Sequence, residues 1–288
     1  MSINLTNWTN DNRKVIAQMG SMSVIEHQKD LSVDKATATV EYFSHQMNVK
    51  RRQVEIALDG KNSCKVQAGA MQMMIGNVEM AAGIKGGAKG LLNSVINAAV
   101  TNETIVKPEY TGTGKVILEP TYKHIILQDV SQWGKGGLVV EDGMFLASEG
   151  TVQHQVVDIA DDLSTVLLSS EGLCNLCFTG SGIVALESYV PLEELIEIEL
   201  EDDVIKIDGN LAVCWSGTLK FKIEKSAKSF VGSFASGEGI LHVFRGTGKI
   251  WVSPVAGTYA SDPSLMRGGE AQSKSTSKQS GLIESLLK

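Results

Sequence analysis

Three glycine pairs set the rhythm of this chain. Gly69, Gly143 and Gly209 each open a short run of alternating apolar residues, and Gly114, Gly172 and Gly239 each open a second. Counted from the second glycine, apolar residues fall at offsets +2, +4, +11 and +13. The first set is Val116, Leu118, Ile125 and Leu127, the second Cys174, Leu176, Ile183 and Ala185, and the third Leu241, Val243, Ile250 and Val252. Internal repetition on this scale constrains the fold before any single residue does. Period-two alternation punctuated by glycine predicts antiparallel β-structure.

The repeats run over 48–254, divided as 48–128, 129–188 and 189–254. The first opens on Val54-Glu-Ile56-Ala-Leu58 and the third on Ile196-Glu-Ile198-Glu-Leu200. After the first glycines come Met71, Met73 and Ile75, then Phe145 and Ala147, then Leu211, Val213 and Trp215. The distance between the two glycines is 29 and 30 residues in the second and third repeats but 45 in the first, which places an insertion around 81–108. Within it, Leu91, Leu92, Val95, Ile96, Ala99 and Val100 share one face of a predicted amphipathic helix, after a glycine-rich lead from Gly83 to Gly90. An apolar face must be covered. It caps its own sandwich, or it is an interface for a neighbouring subunit, another protein or a membrane surface.

Residues 1–47 form an N-terminal extension. Lys14 to Glu26 reads as a strand pair about Gly20. Ser32 then reads as an N-cap, with Ala36, Val40, Phe43 and Met47 on one helical face docked on the body. Beyond Pro254 the periodicity stops, and residues 255–288 read as a flexible tail rich in Gly, Ser, Lys and Gln.

Composition excludes several classes. A net charge of -7 disfavours general nucleic-acid binding, and Lys50-Arg51-Arg52, the one tight basic cluster, reads as a solvated strand entry. No apolar stretch approaches the about 20 residues needed to span a bilayer, and no secretory signal is visible. Four cysteines make no disulfide framework, so free thiols in a reducing cytoplasm are expected.

Candidate chemical motifs dissolve on inspection. Cys174-Asn-Leu-Cys177 places its thiols on opposite faces of a strand, where they cannot share a metal. His27, His45, His124, His154 and His242 fall in no ligand spacing. Gly180-Ser-Gly182 and Gly246-Thr-Gly248 are followed by strands rather than helices, so they read as hairpin turns and not as phosphate loops or a nucleophile elbow. Glu197 and Glu199 line the solvent face of a strand, and Asp202-Asp203 reads as a turn.

Val54-Glu-Ile-Ala-Leu, Ala68-Gly-Ala-Met-Gln-Met, Glu141-Asp-Gly-Met-Phe-Leu-Ala-Ser and Gly237-Glu-Gly-Ile-Leu-His-Val-Phe-Arg-Gly-Thr-Gly-Lys-Ile occur in order. In them the chain resembles the altered-inheritance-of-mitochondria-24 family, whose fold is similar to the tryptophan RNA-binding attenuator protein. The resemblance implies an all-β sandwich of three attenuator-like repeats in pseudo-threefold arrangement, with an N-terminal helix and one helical insertion. It implies no agreed activity. A eukaryotic branch is tied to mitochondrial membrane organisation, and this chain, without an Arg-rich leader, looks like a bacterial cytoplasmic member. No residues match the attenuator's tryptophan or RNA sites. The expected function is a non-enzymatic structural or scaffolding protein acting as a homo-oligomer, with a trimer as one form. The alternative is a small-molecule binding module with a cleft between β repeats. No catalytic residue, cofactor or metal ligand is expected.

Overall fold

A computed structural model describes residues 3–81, 107–158, 174–208, 211–225 and 240–255. The chain is all-β, with one α-helix among the described residues. Its framework is one pairing of strands that occurs three times. In the first, β3 (Arg52–Val66), β4 (Met71–Ala81) and β5 (Glu109–Leu118) assemble with β5 in the middle, antiparallel to both neighbours. In the second, each of these strands is broken in two. β6 (His124–Asp129) and β7 (Leu138–Val140) stand for the first strand, β8 (Phe145–Glu149) and β9 (Val152–Asp158) for the second, and β10 (Cys174–Gly180) and β11 (Ile183–Ser188) for the middle one. In the third, β15 (Ile240–Val252) lies between β12 (Ile196–Asp208) and the pair β13 (Ala212–Ser216) and β14 (Lys220–Lys225).

The register of these pairings corrects the sequence reading. Val116 pairs with Ile56 and Met74, Val184 with Gln128 and Ser148, and Ile250 with Ile198 and Trp215. The positions equivalent to Val116 are therefore Val184 and Ile250, not Cys174 and Leu241. Each lies two residues after a Gly-x-Gly: Gly112-Thr-Gly114, Gly180-Ser-Gly182 and Gly246-Thr-Gly248. Leu241, expected in the core, is only half-buried. Apolar alternation matches itself at any shift of two, and a shift of one exchanges the faces, so the offsets alone could not fix the register. β6 pairs with β11, which places His124–Asp129 beside the second set of strands.

Nor are the Gly-x-Gly segments hairpins. Gly246 and Gly248 lie inside one continuous strand, and Gly180 and Gly182 flank the point where the chain leaves β10 in one sheet for β11 in the other. Their φ values, +91° and +131° in the second case and +121° and +158° in the third, are ones glycine adopts without strain, and in the second case the chain passes there from one sheet to the other.

The strand sets join edge to edge in one repeated manner. The end of β3 pairs with β8 as Cys64 with Glu149, Lys65 with Ser148 and Val66 with Ala147. Gly150 N to Ser63 O (2.7 Å) and Gln67 N to Leu146 O (2.8 Å) frame that junction. β7 pairs with β13 as Leu138 with Ser216, Val139 with Trp215 and Val140 with Cys214. There the framing bonds are Gly217 N to Gly137 O (2.9 Å) and Glu141 N to Val213 O (3.0 Å). These junctions produce an eight-stranded and a seven-stranded sheet. The expected strand pair about Gly20 is present as β1 (Arg13–Met19) and β2 (Met22–His27), and β2 extends the first sheet beside β3.

Three apolar clusters form the core; the second draws on both sheets, and the strand residues of the first and third come from one sheet each. The first gathers Val54, Ile56, Val116 and Leu118 with Ile125, Leu127, Ile183 and Ala185. The second holds Trp133, Phe145, Phe178, Val184 and Trp251, and the third Trp215, Phe244 and Ile250. β10 serves two of them, with Leu176 and Phe178 in the second and Cys177 in the third. A strand buried on both faces explains why its sequence is apolar without alternation.

Candidate interaction surface

The helix of the extension is present as α1 (Ala38–Gln46), but it does not dock as expected. None of its residues is buried, and Val40, Tyr42, Phe43 and Met47 all stand exposed. Nor does Ser32 cap it. The residue before the helix is Thr37, whose side chain makes no cap bond, and the Asp34 carboxylate accepts from the N–H groups of Ala36 (2.8 Å) and Thr37 (3.0 Å) in the turn that leads into it. Those backbone bonds hold the Asp34 carboxyl below its ordinary range. A polar latch ties the helix to the body instead of an apolar face. His45 Nε2 accepts from Asp30 N (3.0 Å), and the Asp30 carboxylate accepts from Tyr122 Oη (3.0 Å) and pairs with Arg51.

The basic cluster is consumed by similar contacts. Lys50 reaches Glu26 at 3.0 Å, and Arg52, nearly inaccessible, reaches the same carboxylate at 2.9 Å and Asn48 O at 3.1 Å. Burial pushes the Glu26 carboxyl up, but the Lys50 hydrogen bond and the charges of Arg52 and Lys50 outweigh it and hold the group low. The solvated strand entry expected here is instead a set of ion pairs that engages all three basic side chains.

Among the described residues, two long strands have one unpaired edge each. There β4 pairs only with β5, and it exposes Met73, Met74 and Met80. β12 pairs only with β15, and it exposes Ile196 and Val204 beside Glu197, Glu199 and Glu201. Asp202-Asp203 is not a turn but a bulge within β12, with Asp202 at φ +52°. Glu197 is more than solvent facing, since it accepts from the Trp251 indole at 2.6 Å. Unpaired edges with apolar side chains are surfaces that other strands can cover.

A polar pair that no sequence motif announced lies next to the β3–β8 junction. Ser148 Oγ and His154 Nε2 are 2.8 Å apart, on neighbouring short strands. The imidazole packs edge-on against Phe145 and Phe178, with ring centroids 5.0 Å from each. Burial, and then the charges of Lys65 and Lys107, push His154 down to about 3, so the ring is neutral at physiological pH. Its Nδ1 is buried with no hydrogen-bond partner. Lys107 lies over the Phe145 ring at 4.8 Å and donates to Gln67 Oε1 at 2.5 Å. A serine beside a neutral histidine has the form of an activated nucleophile, but Ser148 has 0 % exposure, and a substrate would have no access to it. The six-residue spacing hid the pair, because only the turn between β8 and β9 brings the two together.

The thiols of Cys64, Cys177 and Cys214 are free and buried. Burial raises Cys64 to about 12 and shifts Cys214 upward as well, which makes both poor nucleophiles. Cys177 faces the third cluster, and its thiol donates to Gly136 O. No group of three or more metal-binding side chains occurs among the described residues, and no helix among them is long and apolar enough to cross a membrane. Leu91, Leu92, Val95, Ile96 and Val100, the expected interface of the insertion, lie outside the described residues.

Comparison with known proteins bears on this surface through the fold. The family model described as "Mitochondrial biogenesis AIM24" matches residues 43–255, well over half the chain. An uncharacterized protein of Streptococcus pyogenes serotype M6, M6_Spy0233, is 27% identical over 205 residues, covering 69% of this chain and 79% of its own. The crystal structure of SPYM3_0169 from Streptococcus pyogenes aligns with a TM-score of 0.55 at 24% identity, over 77% of this chain and 95% of that one.

Proposed function

Because this chain belongs to the mitochondrial biogenesis AIM24 family, through the match over 43–255, we propose a role compatible with its bacterial relatives: a non-enzymatic structural or scaffolding protein that assembles with copies of itself. The observation that carries this reading is the unpaired, methionine-bearing edge of β4, a long strand with Met73, Met74 and Met80 open to solvent. The exposed face of α1 adds a second apolar surface. Pseudo-threefold arrangement of the strand sets and a cytoplasmic location belong to the same proposal, the latter supported by the free thiols of Cys64, Cys177 and Cys214. The inaccessibility of Ser148 favours a non-enzymatic role. Size-exclusion chromatography with light scattering tests the proposal. A mass above one chain, rising with concentration, is expected, and a single-chain mass at every concentration overturns it.

A small-molecule binding module is the second reading. It is favoured by the buried, unpartnered Nδ1 of His154, a polar atom that a ligand group could satisfy. Native mass spectrometry of protein purified from its host distinguishes the two, since a retained small molecule of constant mass supports the module.

A further inference from the structure

We propose that the free edge of β12 pairs with the free edge of β4 on a second copy of this chain, in the register that already joins the strand sets within one chain. This rests on the self-assembly reading and names its surface.

The register follows from residue equivalence. Cys64, Leu138 and Ile205 pair with Tyr110, Phe178 and Phe244, each a buried aromatic two residues before its Gly-x-Gly. Met74, Ser148 and Trp215 pair with Val116, Val184 and Ile250, each two residues after it. The two observed junctions set Cys64 opposite Glu149 and Leu138 opposite Ser216, each one residue beyond Ser148 or Trp215. Carried to the strands that remain unpaired, the same rule sets Ile205 opposite Ile75, Lys206 opposite Met74 and Ile207 opposite Met73. Gly150 and Gly217 stand close to the partner strand, where a Cβ would fall 1.8 Å from Ser63 Oγ or 2.2 Å from Gly136 O, whereas the equivalent Gly76 on β4 is close to its own neighbour β5, where a Cβ would fall 2.7 Å from Thr113 O.

Exposure shows which edges lack their partner. Ala147, Ser148 and Cys214 have 0 % exposure inside the two formed junctions, whereas Met73 and Met74, in the same positions, have 37 % and 42 %. On the other side, Ile205, Leu211 and Phe221 leave the third cluster half-covered. The occupant is a second copy because each edge is what the other's pattern requires, as β3 requires β8. β12 of one chain on β4 of the next is a head-to-tail contact, which closes as a ring or grows as a filament.

Two single variants, Ile75→Cys and Ile205→Cys, test the contact when mixed and mildly oxidised, with the wild type as the control for native thiols. Directly opposed residues of this kind in antiparallel strands lie within disulfide range. A disulfide-linked dimer is expected from the mixture and from neither variant alone. No dimer from the mixture overturns the proposal, as does a double variant that forms only an intrachain bond, which would mean the chain closes on itself. Met74→Lys, placed opposite Lys206, is expected to reduce the light-scattering mass with an unchanged far-UV spectrum, and adding Lys206→Glu to restore it. An assembly indifferent to Met74→Lys overturns this junction and leaves the scaffold reading intact. A wild-type protein that is monomeric at every concentration overturns both.

Discussion

β8 and β4 hold equivalent places in the molecule and have opposite fates. Both follow a glycine with positive φ, Gly143 at +78° and Gly69 at +83°, and both flank a middle strand with a bulge in the pairing. β8 has β3 on its far side, and every residue from Phe145 to Ser148 is buried. β4 has no far neighbour among the described residues, and none of its residues is buried. Methionine is the residue type that tolerates this, being apolar enough to enter an interface and flexible enough to lie on a wet surface. The comparison teaches that burial here is a property of a strand's neighbours more than of its own pattern.

The largest effects that could break the comparison belong to the centre. Phe178→Ala removes a fully buried ring packed on Phe145 and His154, and should cost about 3–5 kcal/mol in urea unfolding. The matching truncation on the outer helix, Phe43→Ala, should stay within about 0.5 kcal/mol. Equal costs would mean that α1 is covered in solution. Next comes Arg52→Ala, which leaves the Glu26 carboxylate with Lys50 and the Gln28 amide and should cost about 3 kcal/mol. A neutral result would show that the network is solvated after all.

A smaller effect is a dependence on pH. His154 is pushed down to about 3 and His124 to about 4, in each case by burial first and then by nearby positive charge. Below about pH 6.5 the unfolded chain takes up protons that the folded one refuses, so stability is full above that pH and is lost as pH falls towards the folded values. His154 contributes a slope of up to about 1.4 kcal/mol per pH unit in that window, and the less buried His124 adds to it in the same direction. His154→Gln should remove one such slope in urea midpoints measured between pH 6.5 and 4.5. An unaltered slope would mean that His154 is hydrated and not part of the packed centre. The smallest effect is on the open edge, where Met74→Ala should change the stability of an isolated chain by less than about 0.5 kcal/mol.

Much of the fold could be read from residue order. The strand pair about Gly20, the helix carrying Val40 and Phe43 and the turn at Gly69 follow from local rules that act over a few residues. Less of the candidate surface could be read. The face of α1 was legible as apolar, but its exposure was not, because docking depends on whether the body offers a groove. The Ser148–His154 pair was hidden because its members meet across two strands. The Gly-x-Gly segments looked like hairpin turns, since a glycine with positive φ makes a turn or a strand kink equally well. Only the hydrogen-bond partners of the following residues separate the two.

The sequence by itself determined which segments become strands and where each must bend, because alternation and glycine placement act through the local backbone. Tertiary structure alone decided the register of the strand sets and which edges were covered. A pattern of period two fits its neighbour at every even shift. What breaks the tie is the packing of Tyr110, Phe178 and Phe244 beside the kinks, and the close approach of backbones at Gly150 and Gly217.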